Sequence, residues 1–184
     1  MTTRTNLSSP QRDQRGYRVD PGHGPRVRTD VVDVYIYRHA GSLHEPSIEV
    51  LQLLRSREPL KDTWHPVMGH IEADETAVDA AKRELREEVG LEPGMPSLMG
   101  MWALEQVHPF YIAAIDCIVM SPRFVVEVDH DWKPTLNGEH AQHRWVPTYQ
   151  AWRHVMWPGQ RAAIAELMEL LSLPTGTREY LKIV

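Results

Sequence analysis

The segment from Gly69 to Leu91, GHIEADETAVDAAKRELREEVGL, constrains this chain more than any other. At about 100° per residue, Glu84, Glu87 and Glu88 fall on one arc of roughly 100° if the segment is helical. Three carboxylates on one arc repel one another, by a few tenths of a kcal/mol per pair, so a cation is expected against them. Hard oxygen donors point to Mg²⁺ or Mn²⁺. Val78, Ala81, Leu85 and Val89 form an apolar stripe beside that arc, whereas Asp79, Lys82 and Arg86 face away from both. One edge of the helix therefore packs on a core and its neighbour lines a cleft. Asp74, Glu75 and Thr76 supply acceptors and negative charge at the helix start, and Gly90 is placed to end it in a left-handed conformation.

The same residues resemble the signature of the Nudix hydrolases: glycine, five residues, glutamate, seven residues, then Arg-Glu-aliphatic-any-Glu-Glu-any-Gly-aliphatic. Gly69, Glu75, Arg83, Glu84, Leu85, Glu87, Glu88, Gly90 and Leu91 fill every fixed position without a gap. A merely solvated acidic helix would not need that spacing. The resemblance implies that Glu84, Glu87 and Glu88 bind divalent metal, that Glu75 and Arg83 brace loop and helix, and that Gly69 lets backbone approach the metal. It also implies an α/β fold, the Nudix α/β/α sandwich with a mixed sheet and a catalytic loop-helix-loop.

A chain of 184 residues with 42% apolar content can bury one core. The formal charge of −5 recommends no nucleic-acid duplex as partner. The single Cys117 excludes an intrachain disulfide and a cysteine-based zinc cage. No apolar run long enough to span a membrane and no apolar leader is visible, so a soluble cytoplasmic protein is expected. Residues 1–30 carry six Arg and three Asp, a charge of +3 that leaves −8 for the remainder. With little aliphatic periodicity, they read as an arm that is extended or partner-bound, placed to support a homodimer. Residues 31–184 read as the hydrolase domain.

Val31 to Arg38 and Ile48 to Arg55 alternate as paired strands. Arg55 and Arg57 then precede a loop where cations would meet phosphates, Arg57 reading equally as a solvated strand end. Trp64, which in the family packs rather than reacts, joins Arg55, Phe110 and Tyr111 in the candidate substrate-contacting set. His65 and His70 lack a metal-ligand spacing. Past the helix, Leu98 to Glu105 and Tyr111 to Met120 read as strands, the latter apolar enough for the centre of the sheet, with Cys117 a buried small residue. Phe110 and Tyr111 either stack on a base or pack in the core. Asp129 to Gly138 is a loop, Arg144 to Val146 a strand, and Gln160 to Leu171 an amphipathic helix, while Arg178 to Val184 reads as an edge strand or a docking segment.

Glu139 matches the position where Nudix enzymes often place a further metal ligand or the general base. Hydrolysis of a phosphoanhydride requires neutralised phosphates and a deprotonated water, so Glu84, Glu87 and Glu139 are the catalytic candidates. LQLLRSREPLKDTW before the signature, Glu139-His140 before RWV, and Arg161 to Ile164 resemble dihydroneopterin triphosphate pyrophosphohydrolases, although Gln160 stands where that group has asparagine. The resemblance implies a deoxynucleoside, nucleoside or pterin triphosphate as substrate. Dinucleoside polyphosphate or ADP-ribose hydrolysis, or a nucleotide-binding regulator without turnover, are the alternatives.

Overall fold

The computed structural model describes residues 24–42 and 44–184, together with Gln14. Ten strands and four α-helices follow in the order β1 (Arg26–Arg28), β2 (Val31–Gly41), β3 (Pro46–Arg55), β4 (Trp64–His65), β5 (Val67–His70), α1 (Ala77–Val89), β6 (Leu98–Leu104), β7 (Phe110–Ile112), β8 (Cys117–Val119), β9 (Arg123–Val128), β10 (His140–Pro147), α2 (Thr148–Ala151), α3 (Pro158–Ser172) and α4 (Thr175–Arg178). The main sheet runs β10-β3-β2-β9-β6, parallel only between β2 and β9, with β4 paired to β3 and β5 to β2.

Both faces of that sheet are covered, which explains why β2 is apolar on each. Val32, Val34 and Ile36 pack with Ala81, Leu85 and Val89 of α1. Tyr35 and Tyr37 point the other way, into a core shared with Ala163, Ile164 and Leu167 of α3. The alternation of a strand thus becomes two cores, and the α/β/α sandwich expected of the chain is the fold observed. On the α3 side the sheet also buries an ion pair, Arg123 Nε to Asp33 Oδ2 at 3.3 Å.

The register of β2 positions the site. Its first half, Val31 to Val34, pairs with β5, while Tyr37 to Gly41 pairs with β3. β4 and β5 therefore fill the gap where β2 and β3 diverge, and β5 delivers the chain directly to α1.

One expectation needs correction. Tyr111 to Met120 is not a central strand. It is the short hairpin β7–β8, broken by a turn with Asp116 at φ 45°, and it joins β1 in a separate three-stranded sheet. The run is apolar without being enclosed, since Ile115 is 43% exposed, and the interior place between β2 and β6 falls to β9. Arg26–Arg28, within the segment read as an extended arm, pair in parallel with Cys117–Val119. The remainder of the proposed arm, residues 1–23, lies outside the described residues apart from Gln14. Cys117 is buried. At the other terminus the chain turns through α4 and then docks on the edge strand β6, with Ile183 N donating to Met101 O at 2.7 Å and Met101 N to Val184 O at 3.0 Å. Among the described residues no helix is long and apolar enough to cross a membrane.

Candidate active site

The helix that carries the acids has well-defined ends. Thr76 caps its start, its Oγ1 accepting from Asp79 N at 3.2 Å. At its end Gly90 takes φ 69°, a conformation glycine adopts without strain, and its N–H donates to Arg86 O.

Arg83 ties this helix to the loop before it. Its guanidinium donates to Glu75 Oε1 at 2.9 Å, to His70 O at 2.7 Å and to Glu84 Oε1 at 2.7 Å. The paired charges raise Arg83 above its ordinary value and lower Glu75. Glu75 Oε2 also accepts from Glu72 N at 3.0 Å, which closes the loop on itself.

Gly69 meets Glu84. A Cβ built on Gly69 would lie 1.9 Å from the Glu84 carboxyl, so the carboxylate occupies the space a side chain would need. Burial pushes the Glu84 carboxyl up to about 7 against the pull of Arg83, with Glu88 and Glu87 adding to the rise. Glu88 is raised too, chiefly by burial, with His140 opposing. Glu87 is half exposed, and its Oε2 stands 3.6 Å from Arg83 Nη1.

These residues form one wall of a cavity of about 430 Å³. Gly69, Arg83, Glu84 and Glu88 line it from the signature side, and Arg55, Pro59, Leu60 and Glu139 face them. Arg55 is held by Pro59 O, to which its Nε donates at 2.8 Å, and its Nη1 reaches Glu139 Oε2 at 3.3 Å. The Asn137 side chain fixes Glu139 by accepting from its backbone N–H at 2.9 Å. His65 lines the floor with its Nδ1 on Pro66 O at 2.7 Å; a carbonyl only accepts, so Nδ1 carries the proton. Burial lowers His65 to about 4.

The donor set suits a hard divalent cation, because Glu84, Glu88 and Glu139 offer carboxylate oxygens to one cavity and Glu87 stands on the same helical arc. Each acid now leans on a basic neighbour, and among the described residues no three such side chains are gathered into a coordination cluster. Glu84, Glu87 and Glu88 would hold such an ion, with Glu139 on the same cavity.

Three predicted substrate contacts lie elsewhere. Trp64 stacks under Arg144, 3.9 Å from the guanidinium carbon to the ring centroid, and packs as the family resemblance implies. Phe110 stacks on Trp157 with centroids 5.4 Å apart. Tyr111 is 56% exposed, its hydroxyl donating to Asp116 at 2.8 Å. None of the three lines the cavity. Sequence reasoning noted His140 only as a landmark and gave no role to it, buried beside Glu88, or to Asn137; only the pairing of β10 with β3 brings that strand to the site.

The NUDIX domain model matches residues 27–167. A Myxococcus xanthus octanoyltransferase is 31% identical over 142 residues, covering 76% of this chain and 36% of that one. The chain spans 27 to 43% of the length of the curated relatives it matches. Among solved structures, the Escherichia coli dihydroneopterin triphosphate pyrophosphohydrolase is 26% identical, with TM-score 0.61 over 78% of this chain and 95% of that chain. A C. elegans Ap4A hydrolase, 18% identical with TM-score 0.64 over 79% of this chain and 98% of that chain, shares the fold. The matched span takes in the loop, the helix and both walls of the cavity, and the chain belongs to the NUDIX domain family.

Proposed function

We propose that this chain is a divalent-metal-dependent pyrophosphohydrolase that cuts a phosphoanhydride in a nucleoside, deoxynucleoside or dihydroneopterin triphosphate. One observation carries the reading: a single cavity sets the signature carboxylates against a wall holding Arg55 and Glu139. A bound Mg²⁺ or Mn²⁺ would supply charge neutralisation at the phosphates and a polarised water. The rest falls to the chain. Glu84, Glu87 and Glu88 would hold the ion from one helix, braced by Arg83 and Glu75. Arg55, already fixed at Nε by Pro59 O, turns its free guanidinium nitrogens to a phosphate. Releasing Arg55 to the substrate frees Glu139 to accept a proton from the attacking water, and Glu139 is 47% exposed at the cavity mouth. Pro59 and Leu60 line the same cavity.

Triphosphates rank first because the E. coli dihydroneopterin triphosphate pyrophosphohydrolase shares 26% identity across nearly its whole length. The test is pyrophosphate and phosphate release with Mg²⁺ and with Mn²⁺ across a panel: the four deoxynucleoside triphosphates, GTP, dihydroneopterin triphosphate, diadenosine tetraphosphate and ADP-ribose. The reading expects pyrophosphate from a triphosphate. Fastest turnover on diadenosine tetraphosphate or ADP-ribose would replace the substrate assignment, and binding without turnover on any member would replace the enzyme by a nucleotide-binding regulator.

A further inference from the structure

His140 opens β10 immediately behind the cavity, and its side chain is fully enclosed. Its Nε2 lies 3.0 Å from Glu88 Oε2, a side chain itself only 3% exposed. The two atoms are close enough for a hydrogen bond but not aligned for one, and among the described residues neither ring nitrogen of His140 has another partner. His65 from β4 packs beside it with ring centroids 5.2 Å apart, and that ring has spent its one proton on Pro66 O. His65 therefore offers His140 no donor.

An imidazole in such a place is costly: an apolar ring would fill the same volume without stranding two polar atoms. Two of the unpaired atoms, His140 Nε2 and Glu88 Oε2, find their use if Glu88 turns slightly, bringing its carboxylate into line with the Nε2–H. We propose that His140 is a positioning residue, holding Glu88 from behind in the orientation in which that carboxylate meets a divalent cation. The inference rests on the metal reading given above and adds a residue to it. An imidazole bonded to a ligating carboxylate fixes its direction, and partners of this kind are typically worth about 10- to 100-fold in metal affinity.

Affinity for Mn²⁺ alone, read from the free-ion electron paramagnetic resonance signal, tests this in the full chain. His140→Phe should weaken Mn²⁺ binding about 10- to 100-fold. His140→Gln, which restores an N–H donor, should recover part of the loss. Glu88→Gln should weaken binding at least as much, and adding His140→Phe to it should cost little more. In the wild-type chain, Mg²⁺ titration should move the His140 ring resonances in a long-range ¹H–¹⁵N spectrum with the midpoint of binding, which needs no variant to fold. Unchanged His140 resonances, or Mn²⁺ affinity in His140→Phe equal to wild type while Glu88→Gln is weakened, would overturn the role of His140. Unchanged affinity in Glu88→Gln would overturn the metal reading itself.

Discussion

The two walls of the cavity are built on different plans. On the signature wall the decisive contacts are local: Arg83 bonds to Glu84 next to it, to Glu75 eight residues away and to His70 thirteen residues away. On the opposite wall they are remote, Arg55 meeting Glu139 across 84 residues of sequence. A local wall is specified by spacing on one helix and its loop, whereas a remote wall exists only once β3 and β10 have paired. On the proposed reading the two walls divide the labour: cation binding is written into one segment, while the phosphate contact of Arg55 and the proton acceptor Glu139 meet only through the sheet.

The largest effect should come from the local wall. Glu84→Gln removes a charge from the cavity at nearly constant volume, and turnover should fall roughly 10³-fold in a pyrophosphate-release assay with the fold retained by circular dichroism. A rate within a few fold of wild type would show that the local wall does not carry the chemistry. Gly69→Ala attacks the same wall through backbone space. The added methyl overlaps the Glu84 carboxyl and should cost about 10²-fold in turnover by displacing it.

On the remote wall, Arg55→Ala should raise KM about tenfold with a smaller change in kcat, the mark of a lost charge-assisted phosphate contact. A fall in kcat at unchanged KM would instead place Arg55 in the reaction step and blur the comparison.

His65, between the walls, tests their shared floor by pH. Its folded value near 4 lies below the unfolded value of about 6.5, so below pH 6.5 the unfolded chain takes up the proton first. Stability should therefore be intact above pH 6.5 and decline as pH falls toward 4, by about 2 kcal/mol at pH 5. Urea midpoints of wild type and His65→Gln at pH 7 and pH 5 measure it. Equal pH dependence in both proteins would refute a neutral buried imidazole. Smallest of all, Phe110→Ala should change KM by no more than about twofold, since that ring stacks on Trp157 outside the cavity.

The same contrast explains what could be read before folding. The signature helix, its Thr76 and Gly90 ends and the pairing of β2 with β3 follow from periodicity and turn residues within short windows. So does α3, whose apolar stripe meets the second core. The hairpin of β7 and β8 misled because apolar residues do not reveal whether a sheet closes over them; only the pairing of Cys117–Val119 with Arg26–Arg28 shows a small outer sheet. Phe110 and Tyr111 carried the right chemistry for stacking on a base, but a hydroxyl bonded to Asp116 and a ring bonded face to face with Trp157 take them out of the cavity. The pairing of His140 could not be read for the opposite reason: it lies with Glu88, 52 residues earlier, and no local pattern joins them.

The most direct test of the central claim is an anomalous difference map from crystals soaked in MnCl₂ with a non-hydrolysable triphosphate. Strong peaks bounded by Glu84, Glu87 and Glu88, with the phosphates turned toward Arg55, are the predicted result. Manganese settled elsewhere, with Glu84 still on Arg83, would contradict it.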